Sequence, residues 1–287
     1  MAELTNFINF SQNLSYLNIS NCKIGDDGLM HFCKNIYNFN LIELDLSKNE
    51  LRDLSGFYLG ELLQKLNKLE YLNLAENSLN GGGFTSIINS ISTLKTKNFR
   101  KLNISNNSLI EIDIRCIVEV LVKYEFLEEF DLSYNSLCPK AANSLGIYLK
   151  NCKGLKTFYL NGCNLNEESC PMFIKNLEGS SIKELYLDEN PIGQIGGILF
   201  ANLLKLNKFL SYLSLRKCEI TGNVIKILLD NYAGNENYLE IDFKNNFLSE
   251  FEKKSYTEDF RIMEESYTNN NNSNIHGKKR SLKILIN

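Results

Sequence analysis

Apolar residues recur along the chain in two alternating rhythms. A short run alternates apolar with polar, as in LSYLNI from Leu14 to Ile19, the pattern of a strand with one buried face. A polar turn follows, and then apolar residues at helical spacing, such as Phe57, Leu59, Leu62 and Leu63, or Ile198, Leu199, Leu203 and Leu204. The alternation restarts at Leu14, Leu41, Leu69, Phe99, Leu127, Leu155, Ile182, Leu210 and Tyr238, in steps of 27, 28, 30, 28, 28, 27, 28 and 28 residues. A strand, a turn and a helix of that length cannot bury their own apolar faces, so the units must stack on one another. The predicted architecture is a continuous α/β solenoid, a horseshoe with a parallel β-sheet on the concave face and helices on the convex face. Leu17, Leu44, Leu72, Leu102, Phe130, Phe158, Leu185, Leu213 and Ile241, the fourth residue of each unit, should form one buried column. Gly28, Gly83 and Gly196 share the fifteenth position, where the turn into the helix needs room.

The repeated phrase is L-x-x-L-x-L-x-x-N/C-x-L, with Leu41–Leu51 (LIELDLSKNEL) and Leu69–Leu79 (LEYLNLAENSL) as close matches. Its ninth position reads Cys22, Asn49, Asn77, Asn107, Asn135, Cys163, Asn190, Cys218 and Asn246. An inward carboxamide there can both donate to and accept from backbone leaving the strands, and a thiol can fill the slot as a weak donor. The cysteine cluster Cys152, Cys163 and Cys170 is therefore read as structural: Cys163 is a letter of the phrase, Cys152 and Cys170 sit on helical segments, and no histidine is near to complete a zinc set. Cys33 and Cys116 read as helix-core thiols. Eight cysteines without a CxxC pair point to a reducing compartment, with no disulfide and no metal.

The phrase and its period resemble the leucine-rich repeat of the ribonuclease-inhibitor-like subfamily, over about Leu14 to Glu265. The resemblance implies the horseshoe fold. It points to no single activity, because the fold serves many.

Residues 1–13 read as an N-terminal cap, with Phe7, Ile8 and Phe10 covering the first repeat. Nine repeats occupy residues 14–248. Phe251, Phe260, Met263 and Tyr267 lie on a helical stripe and predict a capping helix over 249–267. Residues 268–287 read as a flexible basic tail: an asparagine-rich linker, the charge run Lys278-Lys279-Arg280, and a final SLKILIN apolar enough to dock.

With 31 basic and 34 acidic residues the net charge is −3. The last 20 residues carry four bases and no acid, which leaves 27 against 34, or −7, over residues 1–267. An acidic body argues against nucleic acid and for a basic or mixed-charge partner. No apolar run reaches the roughly 18 residues of a membrane span, and the N-terminus lacks the basic and apolar regions of a secretory signal, so a cytoplasmic location is expected. Catalytic constellations are not expected. Gly81-Gly82-Gly83-Phe84 lacks the lysine and serine of a phosphate loop, and His31 and His276 are the two histidines. No cofactor is expected.

Candidate chemistry lies at positions 3, 5 and 7 of the phrase, which face the concave side. Those positions carry eight acids, three bases and five tyrosines, a balance of −5. The densest cluster is Tyr159, Tyr186 and Tyr212 with Glu129, Asp131, Glu184, Asp188 and Arg216. Tyrosines give large contact areas at low entropy cost, and charges steer a partner of opposite sign. These residues are the expected partner-binding site of a non-enzymatic protein-interaction scaffold. Relatives by resemblance include ribonuclease inhibitors, tropomodulin-like actin regulators, NOD-like receptor sensors and axonemal scaffold proteins. Two alternatives stay open. One is a GTPase activator resembling the Ran GTPase-activating protein, a family with more repeats and an acidic rather than basic tail. The other is a ribonuclease-inhibitor-like inhibitor, of a family richer in cysteine and leucine.

Overall fold

The computed structural model describes residues 1–232, 238–258 and 282–286. They fall into two compact units, Met1–Leu137 with Asn151–Phe158, and Cys138–Lys150 with Tyr159–Asn287.

In the first unit, α1 (Ala2–Phe10) precedes β1 (Tyr16–Asn18), α2 (Gly25–Asn35), β2 (Glu43–Asp45), α3 (Asp53–Leu63), β3 (Tyr71–Asn73), α4 (Gly81–Ser92), β4 (Lys101–Asn103), α5 (Glu111–Leu121) and β5 (Glu129–Asp131). The strands are parallel and in register, with Leu17, Leu44, Leu72, Leu102 and Phe130 opposite one another along one row. These residues are buried, as are Leu46, Leu74 and Ile104 two positions on and Phe32, Leu59, Phe84, Ile88 and Ile117 on the helices. Burial of each such large side chain stabilises the fold by about 1.5–3 kcal/mol.

The second unit repeats the plan. It holds α6 (Pro139–Asn151) up to Lys150, the last residue of β6 (Thr157–Tyr159), α7 (Ser169–Ile174), β7 (Glu184–Tyr186), α8 (Gly193–Leu206), β8 (Tyr212–Ser214), α9 (Gly222–Tyr232) and β9 (Leu239–Asp242). Leu185, Leu213 and Ile241 stand opposite one another in a buried row of this unit. Residues 250–258 are helical. The expected cap residues Phe260, Met263 and Tyr267 lie outside the described residues, and Phe251 is 81% exposed rather than packed. The tail expectation also changes: Leu282–Leu285 form a further strand, β10, parallel to β9, with Leu282 buried and Ile284 opposite Ile241. An alternating apolar segment gains more by completing a sheet than by staying in water.

The asparagines tie neighbouring repeats together. Asn135 Nδ2 donates to the carbonyls of Ile104, Leu132 and Ser133 at 3.0–3.3 Å, and its Oδ1 accepts from the backbone N–H of Asn107 and Leu109, both at 3.1 Å. Asn49, Asn77 and Asn190 repeat the scheme. Where cysteine replaces asparagine, the thiol supplies a single weak donor: Cys218 Sγ lies within reach of the Leu187 and Arg216 carbonyls at 3.2 and 3.3 Å. The turn just before this slot is left-handed in every repeat. Asn21, Lys48, Glu76, Asn106, Tyr134, Gly162, Glu189, Lys217 and Asn245 have φ between 50° and 61°, and one of them is glycine. Each of the others stores about 1–2 kcal/mol of strain, held in place by the bonds around it.

Five further apolar positions differ from expectation. Phe7 and Phe10 are 67% and 81% exposed, whereas Ile8 is buried. The first helix is secured by polar bonds instead. Asn9 donates to the Asn35 carbonyl and accepts from the N–H of Tyr37 and Asn38, and Asn38 donates back to the carbonyls of Ile8 and Ser11. Phe57 lies half exposed on the outer side of α3, edge-on to Tyr58. Cys116 is exposed, because the buried row of α5 is Ile114, Ile117, Val118 and Leu121. Cys22 is exposed as well, in the first repeat. Among the described residues, no group of three or more His, Cys, Asp or Glu side chains is placed to hold a metal ion.

The fifteenth-position glycines make room for the side chain four residues earlier: a methyl on Gly28, Gly83 or Gly196 would press on Ile24, Leu79 or Ile192. A tighter approach, not anticipated from sequence, is Gly56 on α3, where a methyl would land on the backbone of Gly83 on α4.

Four outcomes follow for stability and reactivity. Replacing Asn135 with leucine should cost about 2–4 kcal/mol in denaturant melting, because buried carbonyls and N–H groups lose their partner. Gly56→Ala should cost about 1–3 kcal/mol by overpacking. Gly82→Ala, whose methyl would meet nothing nearer than 3.5 Å, should be neutral or stabilising. Burial pushes the thiols of Cys33, Cys170 and Cys218 up to about 12, so they stay protonated at neutral pH. Alkylation followed by peptide mass spectrometry should label Cys22 and Cys116 in the native protein, and these three only after unfolding.

Candidate functional site

The open face of the strands in each unit is built by positions 3, 5 and 7 of the phrase. In the first unit, position 5 is always asparagine or aspartate, and its side chain turns back on its own strand end. Asn18, Asp45, Asn73, Asn103 and Asp131 each accept the backbone N–H two residues on, from Ser20, Ser47, Ala75, Ser105 and Ser133, at 2.9–3.0 Å. This is an Asx turn, and it satisfies an N–H that the strand ladder leaves over.

The second unit breaks the rule at three successive strands. Position 5 becomes Tyr159, Tyr186 and Ser214. The cap is handed to position 7 of the preceding repeat: Asn161 Oδ1 accepts from Asp188 N–H at 2.9 Å, and Asp188 Oδ1 accepts from Arg216 N–H at 3.0 Å and from the Ser214 hydroxyl. Position 7 correspondingly reads Asn161 and Asp188 where the first unit has serine or alanine. Two positions have changed together, so that the Tyr186 ring stands on the sheet while the Asp188 N–H keeps a partner.

The rings use that space. Tyr159 stacks on Tyr186 with centroids 4.4 Å apart and planes 20° apart, and Tyr186 meets Tyr212 at 5.0 Å, tilted by 39°. All three are partly exposed. Tyr186 Oη donates to Glu184 Oε2 at 3.4 Å. Burial raises the Tyr212 phenol above its ordinary value, so it is a proton donor near neutrality. A stacked set of phenols with flanking carboxylates can bury apolar area and exchange hydrogen bonds with a ligand.

The charged residues are more occupied than their number suggests. Arg216 binds Asp242 through Nε at 2.7 Å and its terminal nitrogen at 2.6 Å, and the Asp242 side chain is fully buried. Asp242 also accepts the Lys244 N–H at 3.0 Å. Asp188 serves as a backbone cap. Glu129 and Asp131 belong to the first unit: Glu129 pairs with Lys101 at 2.8 Å, and Asp131 caps Ser133 with its carboxyl raised above the usual value by burial. Asp131 is thus half-buried backbone support rather than a side chain pointing to solvent. Tyr159, Tyr186, Tyr212, Glu184, Asp188 and Arg216 share the open face of the second unit. Asn161, Ser214 and Asp242, which build that face, were legible in the paired change at positions 5 and 7.

The family described as Leucine Rich repeat matches residues 10–33 and 37–60. The chain is 26% identical over 245 residues to "NACHT, LRR and PYD domains-containing protein 5" of Mus musculus, covering 84% of this chain and 21% of that protein. It is 24% identical over 243 residues to the "Ribonuclease inhibitor" of Mus musculus, covering 83% of this chain and 53% of that protein. The chain therefore spans about a fifth and about half of the length of these two relatives. Among solved structures, the leucine-rich repeat-containing protein LegL7 from Legionella pneumophila superposes with a TM-score of 0.54 at 16% identity, over 80% of this chain and 73% of that one. Among the described residues no helix is long and apolar enough to cross a membrane. Period, in-register parallel strands and relatives agree: the chain is built of leucine-rich repeats, similar to those of the ribonuclease inhibitor.

Proposed function

We propose that this chain is a non-enzymatic, cytoplasmic protein-binding scaffold, and that the partner docks on the tyrosine-bearing open face formed by Tyr159, Tyr186 and Tyr212 with Glu184, Asp188 and Arg216. The observation that carries this reading is the coupled change at positions 5 and 7. A sheet surface that needed only to be wet could have kept the Asx turn used throughout the first unit. Here the cap moves to Asn161 and Asp188, and the rings of Tyr159 and Tyr186 take the vacated fifth positions, with Tyr212 of the third position against Tyr186. Rigid tyrosines in a row suit a hot spot, because little side-chain entropy remains to be lost on binding. Glu129 and Asp131 on the first unit add acidity on their own open face and serve as a second, weaker contact. The balance of −5 over the open-face positions favours a partner with a basic or mixed-charge segment. Similarity to a protein named for inhibiting ribonucleases supports binding to another protein as the mode of action.

The test is affinity capture from the source cell with the full chain, followed by binding kinetics on the recovered partner. Tyr186→Ala should weaken binding by about 1–3 kcal/mol, mainly through a faster off-rate. The association rate should fall as salt rises, since exposed charges are screened over about 8–10 Å at physiological ionic strength. Glu119→Lys, on the helical side of the first unit, should leave binding unchanged. If Glu119→Lys abolishes capture and Tyr186→Ala does not, the partner sits on the helical side and this reading is wrong.

A further inference from the structure

Strand β10 carries the strand half of the repeated phrase. Leu282 pairs with Leu239, Lys283 with Glu240, Ile284 with Ile241 and Leu285 with Asp242. Ile284 thus stands in the row of buried fourth-position residues, and Lys283 in the row of third-position residues on the open face. Three kinds of contact hold the strand. The ladder includes Phe243 N–H donating to the Leu285 carbonyl at 2.9 Å. Leu282 is buried beside Leu239, Ile241 and Phe243, which are buried too. Lys283 Nζ reaches Glu240 Oε1 at 2.9 Å, and Tyr238 Oη donates to the other oxygen of the same carboxylate at 3.1 Å. In the sequence, residues 259–281 separate this strand from the helical residues 250–258.

We propose that the edge of β9 is a strand-docking site that reads an apolar–basic–apolar–apolar segment in parallel orientation, and that Leu282–Leu285 is its built-in occupant, displaceable by a partner segment of the same pattern. The site has the parts of β-augmentation: a backbone ladder for affinity, a row for alternate apolar side chains, and one charge to set register. Selectivity comes from Glu240. A segment with lysine or arginine in the second place completes its ion pair, and an acidic residue there meets like charge. The tether works in favour of the built-in occupant, because a segment on the same chain competes at an effective concentration of about millimolar. A partner strand therefore gains the site only when it binds more tightly or arrives with a second contact. This site is separate from the tyrosine face, and either can fail without the other.

The experiment uses the full chain. Amide exchange at Phe243 reports occupancy, because its N–H is held by Leu285. Lys283→Glu should speed that exchange at least about tenfold, and Glu240→Lys added to it should restore protection. In a Leu282→Asp/Ile284→Asp variant, shown folded by circular dichroism, a fluorescent SLKILIN peptide should bind and recover Phe243 protection. The same peptide with glutamate for lysine should bind at least about fivefold more weakly, and the wild-type chain should bind neither at micromolar concentration. Unchanged exchange in Lys283→Glu, or a folded double variant that takes both peptides equally, would overturn the proposal. So would Phe243 protection that rises with protein concentration alongside a dimer in sedimentation, since the occupant would then be a second copy's strand.

Discussion

The carboxamide at the ninth position is the constraint on which the rest depends. Three-residue strands leave many backbone groups outside the ladder, and these are buried as the chain turns away from the sheet. An unmet buried N–H or carbonyl costs about 1–3 kcal/mol, so a repeat that left several would cancel its own hydrophobic gain. Asn135 meets five such groups from two adjacent repeats. Because each asparagine serves its own repeat and the one before, it also fixes spacing and register. The buried leucine row and the left-handed turns at Lys48 or Glu76 are then consequences: the bonds hold the turn, and the turn delivers the next helix over the apolar side.

The open face follows from the same accounting one step further out. Asx turns close the strand ends in the first unit. In the second, Asn161 and Asp188 close them from the neighbouring repeat, which leaves Tyr186 room to stack between Tyr159 and Tyr212. Much of the surface charge is drawn into this work. Arg216 is committed to Asp242, and Asp188 to a backbone N–H. What such a face presents is chiefly ring area and phenol hydroxyls, with charge acting at longer range.

The repeat and its inward positions were legible in the sequence because they are strictly periodic and their physics is local. Each leucine of the buried row could be named from spacing alone, and the asparagine slot from its recurrence. The amphipathic ends were harder. Phe7, Phe10 and Phe251 are apolar and sit on helical segments, yet all three are exposed. The bonds of Asn9 and Asn38 that tie down the first helix are made by asparagines outside the repeated phrase. The SLKILIN segment was readable as something that docks, but its match to the strand half of the phrase was obscured because it falls outside the regular period. The division of acids into caps and free carboxylates was also hidden, because a count of charges does not say which way a carboxylate turns. The clue was the joint change at positions 5 and 7.

That joint change has a consequence for descent. Arrays of this kind grow and shrink by duplication and loss of whole modules, which is harmless when every module is self-sufficient. The modules carrying Tyr186 and Ser214 are not: each borrows the cap for its position-7 amide from the module before it, through Asn161 and Asp188. Moving either one behind a module whose seventh residue is serine or alanine would strand that amide. The tyrosine-bearing stretch is therefore inherited as a block, while the modules from Leu41 to Phe99, each capping itself, remain interchangeable parts.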